Sequence, residues 1–223
     1  LDGVNQIQVN SKVGLDFASG LRSILRHDPD VILVGEIRDK STASISIQSS
    51  LTGHLVLSTL HTNDAASAFN RLLDMGMEDY LVSTCVIAVL AQRLVRKLCE
   101  CKEEYRLDEE TMARIGIDSE KPLYRPNGCI ECSNTGYRGR VAISELLIVN
   151  DNIRQMIVNR ERSNILQREA MRSGMRTLWQ DGLKKVEDGF TSLSELERVT
   201  DDTSVKAGEE VSDQTEQADT KTN

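Results

Sequence analysis

No apolar run in this chain is long enough to cross a bilayer. The longest, Tyr80 to Ala91, is interrupted by Ser83 and Thr84 and falls well short of the ~20 residues that a spanning helix needs. The opening Leu1-Asp2-Gly3-Val4 has neither the basic cluster nor the apolar stretch of a secretory signal, which excludes that reading of the start. Beginning with Leu rather than Met, the chain reads as a fragment. No internal repeat is present. Aromatic residues are missing from Asp201 to Asn223, a stretch rich in Ser, Thr, Gln and Glu, and such a segment cannot bury enough surface to offset its ordering entropy. It is expected to be a disordered acidic tail. Its seven acids against two lysines supply five of the eight net negative charges, so the body of the chain is nearly balanced.

What remains is the composition of a soluble globular protein, with 39% hydrophobic and 28% charged residues in a chain of 223. That length holds one sizeable core with a small appendage, or two modest domains. The most informative stretch is Asp28-Pro29-Asp30-Val31-Ile32-Leu33-Val34-Gly35-Glu36-Ile37-Arg38-Asp39. A short β-branched run, entered through Pro and left through charges, reads as a fully buried strand of a parallel sheet. Ligands of such sheets bind outside the C-terminal strand ends, so Glu36 stands where a phosphate and an attacking water would meet. Gly35 takes the place where an Asp would hold magnesium in the commonest Walker-B strand, leaving Glu36 as the acid. Arg38 beside Asp39 reads as a local ion pair.

Around this strand the pattern alternates. Val4 to Val9 reads as a short strand, and Phe17, Leu21, Ile24 and Leu25 recur at helical spacing in a helix that must end before Pro29. Ser41 to Leu51 reads as a helix stopped by Gly53, His54 to His61 as a second buried strand, and Ala65 to Met75 as a helix capped by Asn63 or Asp64. Strand, helix, strand, helix implies an α/β fold with a parallel sheet and right-handed crossovers. Tyr80 to Lys97 reads as one further helix with Cys85 as a buried thiol on its apolar stripe. A turn and short strand are expected over Gly136 to Ile143, and three or four short helices from Asp151 to about Val199, broken near Asn159, Gly174 and Gly189.

His61 ends its strand as Glu36 ends the neighbouring one, so both can reach one phosphate. His54 opens the same strand, and roughly 3.3 Å per residue puts it about 23 Å from His61. Arg22 and Arg26, four apart on one helix face, suit phosphate oxygens, although solvated surface arginines are common. Cys99-Glu100-Cys101 and Cys129-Ile130-Glu131-Cys132 are separated by 27 residues. Two C-x-x-C knuckles make a structural zinc site, and here the first pair is one residue short, so zinc, oxidation and a degraded site are all open.

The Glu36 stretch, Thr52-Gly53-His54-Leu55-Val56-Leu57-Ser58-Thr59-Leu60-His61-Thr62-Asn63, Leu90-Ala91-Gln92-Arg93-Leu94-Val95-Arg96 and the Cys pairs together resemble the C-terminal half of the secretion ATPases that drive type II secretion and type IV pilus assembly. The resemblance runs from Leu1 to about Thr200. It implies a RecA-like P-loop ATPase core over 1–98, a tetracysteine zinc-binding insert over 99–135 and a C-terminal strand and helical subdomain over 136–200. It also implies Glu36 as the catalytic carboxylate of an atypical Walker B and His61, in a His box, as its γ-phosphate partner. Arg22, Arg26, His54 and Thr62 become nucleotide-binding candidates, the two arginines reaching across a subunit boundary. Cys99, Cys101, Cys129 and Cys132 become zinc ligands, with the C-x-C spacing a departure from the family pattern.

No G-x-x-x-x-G-K-[ST] loop occurs, so the resemblance places the ATP phosphate cradle and a magnesium ligand before Leu1. The implied assembly is a homohexamer, cytoplasmic and peripheral on the inner membrane. Its partners would be a platform protein and the cytoplasmic domain of a membrane anchor, with no nucleic acid. The alternatives are a pilus assembly or DNA-uptake motor of the same family, and a noncatalytic assembly module.

Overall fold

The computed structural model describes residues 3–117 and 122–200; the acidic tail lies outside them. Two compact units divide the chain, one formed by Leu1–Val89 with Leu147–Met175 and the other by Leu90–Leu146 with the chain from Arg176 onward.

In the first unit, helix α1 (Phe17–Ile24) starts at a capping box, in which Ser19 N–H donates to Asp16 Oδ1 at 2.7 Å and Asp16 N–H to Ser19 Oγ at 3.0 Å. A 3-10 turn over Leu25–His27 ends in Asp28 at φ 50°, and Pro29 follows. Strand β1 (Val31–Val34) leads through helix α2 (Lys40–Leu51), capped by Asp39 on Thr42 N–H at 2.8 Å, to strand β2 (Leu55–Ser58). The two strands pair in parallel from Val31↔Leu55 to Val34↔Ser58, the expected crossover unit.

Burial corrects two expectations, because neither β1 nor β2 is covered on both faces, and β2 is also shorter than the expected His54 to His61. Ile32 and Val34 pack with Ala18 and Leu21 of α1 and Ile45 of α2, while Val31 and Leu33 stay 55% and 67% exposed and Leu55 and Leu57 are exposed beside them. Both helices lie on one face of the pair, and among the described residues nothing covers the other. Residues 4 to 9 form no strand either. Only Ile7 and Val9 are spaced by two, Val4 falling out of step, and the nearest pairing is the isolated bridge Asn10↔Leu15. Helix α3 (Ser67–Asp74) begins two residues later than expected, although Asp64 does accept from Ser67 N–H at 2.7 Å.

The expected helix from Tyr80 to Lys97 is two elements. Helix α4 (Asp79–Cys85) stops, and strand β3 (Ala88–Leu98) follows. Val86, Ile87, Val89 and Val95 are β-branched and fit a pleated surface better than a helix. Helix α5 (Glu109–Ile115) and the antiparallel pair β4 (Glu103–Tyr105) and β5 (Leu123–Arg125) occupy the charged segment after Cys101. Strand β6 (Tyr137–Ile148) is longer than expected and pairs with β3. Bonds from Val149 N–H to Ile87 O at 3.0 Å and from Cys99 N–H to Gly136 O at 2.9 Å mark this pair as antiparallel. Cys85 is half-buried rather than buried, with its thiol 3.8 Å from Ile47 O and pushed up by burial.

The C-terminal helices fall where expected, as α6 (Asp151–Val158), α7 (Ser163–Arg172), α8 (Leu178–Glu187) and α9 (Leu193–Val199). In the first unit Arg154 Nη1 on α6 donates to Ser83 O near the end of α4, and Arg160 pairs with Asp79 at 3.0 Å. In the second, Val95, Ile115, Leu123 and Ile143 form one core with Leu178, Trp179, Leu183, Val186, Leu193 and Leu196. The segment between the Cys pairs therefore contributes to a core.

Glu195, 1% exposed, ties α9 to β3. Its carboxylate accepts from Arg96 N–H, Nε and Nη2 at 3.0, 3.0 and 2.7 Å, and from Arg198 Nε and Nη2 at 2.8 and 2.7 Å. Burial opposes its charge, but the donors of Arg198 and Arg96 outweigh burial and bring the carboxyl from 4.5 to about 2. A group depressed in this way stabilises the fold above its ordinary range, and the contribution is lost as pH falls from 4.5 towards about 2. Thermal melts should therefore lose Tm across that window, and Glu195→Gln should remove much of the dependence. Superimposable pH profiles for the two proteins would contradict the assignment.

Candidate functional site

The parallel register puts the ends of β1 and β2 side by side. Past the last pair, Val34↔Ser58, Ile37 N–H donates to Thr59 O at 3.0 Å and Thr59 Oγ1 donates to Gly35 O at 2.7 Å. Glu36 lies between these two bonds, and buried Ile37 anchors its far side. Gly35 faces Phe17 of α1, where a Cβ would already touch the ring at 3.4 Å. Any longer side chain at 35 would have to pass that ring.

Glu36 Oε2 is 3.3 Å from His61 Nε2 and also accepts from Arg38 Nε. The Glu36 side chain is only 21% exposed, against 80% for His61 and 69% for Arg38, so the carboxylate sits back while its two partners face water. Hydrogen bonding from Arg38 is the main reason its pKa lies below the usual carboxylate range; His61 adds to this and desolvation opposes it. The pair expected between Arg38 and Asp39 does not form, since Asp39 caps α2 and Arg38 turns back to Glu36. A donor-paired carboxylate beside an imidazole is able to orient a water and to meet an anion through the imidazole or guanidinium.

His61 also borders an open hollow of about 340 Å³ with Thr62, Asn63, Asp64, Ser67, Asn70, Arg71 and Asp74. Thr62 Oγ1 is turned into its own loop, 3.1 Å from Asp64 O. The other sequence candidates are elsewhere. Arg22 lines a separate open hollow of about 540 Å³ with Lys40, Ser41, Ser44, Ile45 and Gln48, and Arg26 stands exposed in the 3-10 turn. His54 Nδ1 lies 2.9 Å from Ser49 O and 3.2 Å from Thr52 Oγ1, closing the turn after α2 at the start of β2. The structure does not bring it to the Glu36 end. Sequence reasoning missed the roles of Arg38 and Thr59. Their signal is the i, i+2 spacing to Glu36 and to His61, which keeps alternate residues on one side of an extended chain.

In the second unit the thiols of Cys99, Cys101, Cys129 and Cys132 lie within 4.8 Å of one another. Cys99–Cys129 and Cys101–Cys132 are 3.9 Å apart and Cys129–Cys132 3.7 Å. Four thiolates about 2.3 Å from a zinc ion at tetrahedral angles would be about 3.8 Å apart. All four are free thiols, and the one-residue-shorter first pair reaches the same cluster as the second. Burial opposes the thiolate of Cys132, yet backbone N–H groups of Cys129 and Gly136 outweigh it and bring this thiol down to about 6; desolvation pushes Cys101 up to about 12.

The sequence model of the family described as Type II/IV secretion system protein matches residues 1–198. "Type II secretion system protein E" of Pseudomonas aeruginosa is 53% identical over 203 residues, covering 90% of this chain and 40% of that protein. "Type IV pilus assembly ATPase PilB" of Thermus thermophilus is 50% identical over 201 residues, covering 88% of this chain and 23% of that protein. The chain thus spans about 40% or less of the length of these relatives. Among solved structures, the pilus retraction motor PilT with bound ADP superposes at TM-score 0.59 with 29% identity, over 84% of this chain and 44% of that one. The Legionella pneumophila ATPase DotB superposes at 0.60 with 23% identity, over 89% and 47%, and bears on the fold alone. The α/β fold is of the RecA-like kind found in these ATPases. Matched by the family's sequence pattern over nearly all of its described length, the chain belongs to the Type II/IV secretion system protein family.

Proposed function

We propose that this chain is the catalytic-carboxylate part of an ATP-hydrolysing motor of a bacterial type II secretion system. The observation that carries the reading is the meeting of Glu36 and His61 across adjacent strand ends at 3.3 Å. Glu36 is the general base that orients and deprotonates the attacking water. His61 meets the terminal phosphate, and Arg38 keeps the carboxylate ionised. Magnesium would enter with the nucleotide. Among the described residues no cluster of three metal-ligating side chains includes Glu36, and magnesium held mainly through phosphates and water needs none. Arg22, Arg26 and Thr62 are assigned secondary contacts to nucleotide, the arginines in a neighbouring subunit's site; His54 is assigned to the turn it closes.

Cys99, Cys101, Cys129 and Cys132 would hold zinc in a closed four-sulfur site, which leaves no open position for chemistry and serves stability. The reading of 1–98, 99–135 and 136–200 as separate domains divides the chain on either side of this cluster, whereas its compact units change over after Val89, Leu146 and Met175. The larger assembly is a homohexamer at the cytoplasmic side of the inner membrane, passing its motion to a platform protein and held by a membrane anchor. Among the described residues no helix is long and apolar enough to cross a membrane. Pilus assembly is the second reading, and the 50% identity to the Thermus pilus ATPase favours it over an adaptor without chemistry.

ATP hydrolysis by the full gene product should fall by about 100-fold or more in Glu36→Gln and by about tenfold or more in His61→Ala. Wild-type turnover in both would exclude the catalytic reading. In Arg38→Ala the Glu36 carboxyl, followed by carbon NMR, should titrate at higher pH than in the parent, since its main depressing donor is gone; an unmoved titration would remove Arg38 from the site. Protein purified without added metal should carry close to one zinc per chain, and chelation should lower its Tm. Less than about half an ion with reduced thiols would count against the metal site.

A further inference from the structure

We propose that Thr59 is a positioning residue, whose hydroxyl fixes the Glu36 peptide opposite His61. The inference rests on the catalytic reading of those two residues and extends it to a side chain that bonds the backbone beside Glu36. Strands β1 and β2 are only four residues long and their ladder ends at Val34↔Ser58. Chain ends beyond so short a ladder would separate unless tied. Thr59 supplies the tie on both sides of Glu36, since its hydroxyl donates to Gly35 O at 2.7 Å and its carbonyl accepts from Ile37 N–H at 3.0 Å.

The carbonyl bond belongs to any residue at this position, whereas the hydroxyl bond needs Thr or Ser. Thr59 is exposed, so water could satisfy Gly35 O if the hydroxyl were removed. Little stability is then at stake, and the consequence of the bond is geometric. His61 follows two residues along the chain, so the tie at Thr59 bears on where both members of the pair stand. Small displacements of this kind are costly to rate, because a misplacement of about 1 Å in a reacting group can lower turnover by about 100-fold.

The test compares Thr59→Val, which keeps the shape and loses the donor, with Thr59→Ser, which keeps the donor. In the full gene product Thr59→Val should lower kcat by about tenfold or more with KM for ATP within about twofold, while Thr59→Ser stays within about twofold of the parent in both. In the 223-residue chain, carbon NMR should find the Glu36 titration moved in Thr59→Val and unmoved in Thr59→Ser, at matched Tm. Parent-like kcat and titration in Thr59→Val overturn the proposal, as does an equal loss in both variants. Thr59→Ala provides a second donor-free side chain should Val disturb the fold. If Glu36→Gln and His61→Ala hydrolyse ATP normally, the catalytic reading fails by itself, and the titration comparison still decides whether Thr59 positions Glu36.

Discussion

The parallel pairing of β1 with β2 is the constraint from which the candidate site follows. Two four-residue strands in register from Val31↔Leu55 to Val34↔Ser58 bring residues 36 and 61 to one edge, though they are 25 positions apart in sequence. The register depends in turn on packing. Ile32 and Val34 face the cluster of Ala18, Leu21 and Ile45, and a one-residue slip would turn exposed Val31 and Leu33 inward and break that contact. Helix α2, started by Asp39 immediately after Arg38, closes the crossover. Capping, packing and register therefore converge on the placement of one carboxylate.

The second unit is organised around different chemistry. Glu195, at 1% exposure, collects donors from Arg96 and Arg198, while Trp179, Leu183 and Leu196 share an apolar core with Ile115 and Leu123 from the segment between the Cys pairs. The four thiols gather at the ends of that segment, within 4.8 Å of one another. A buried carboxylate is costly unless it is fully partnered. The donors that Arg96 and Arg198 place on Glu195 meet that cost and define the unit as much as its apolar core does.

Much of the α/β half was legible in the sequence because its signals are local. Pro29, Gly53 and Asp64 punctuate the elements, and the β-branched run before Gly35-Glu36 marks the strand end. The segment from Tyr80 to Lys97 was not, since α4 gives way at Val86 to a strand whose partner, β6, lies some fifty residues on. The continuous burial expected of β1 also failed. Periodicity records which residues are apolar, but coverage of Val31 and Leu33 is decided by what packs on the outer face. At the site, Glu36 and His61 could be named from their places at strand ends. Thr59 and Arg38 leave only an i, i+2 spacing to His61 and Glu36, and spacing does not tell that a hydroxyl bonds a carbonyl on the neighbouring strand or that a guanidinium turns back two residues.

The most direct test of the central claim is a structure of the full gene product with magnesium and a nonhydrolysable ATP analogue. The account predicts the terminal phosphate at the β1–β2 edge, within hydrogen-bond reach, ~3 Å, of His61, and a water between that phosphate and Glu36. A terminal phosphate bound away from this edge, with Glu36 and His61 facing only solvent, would contradict it.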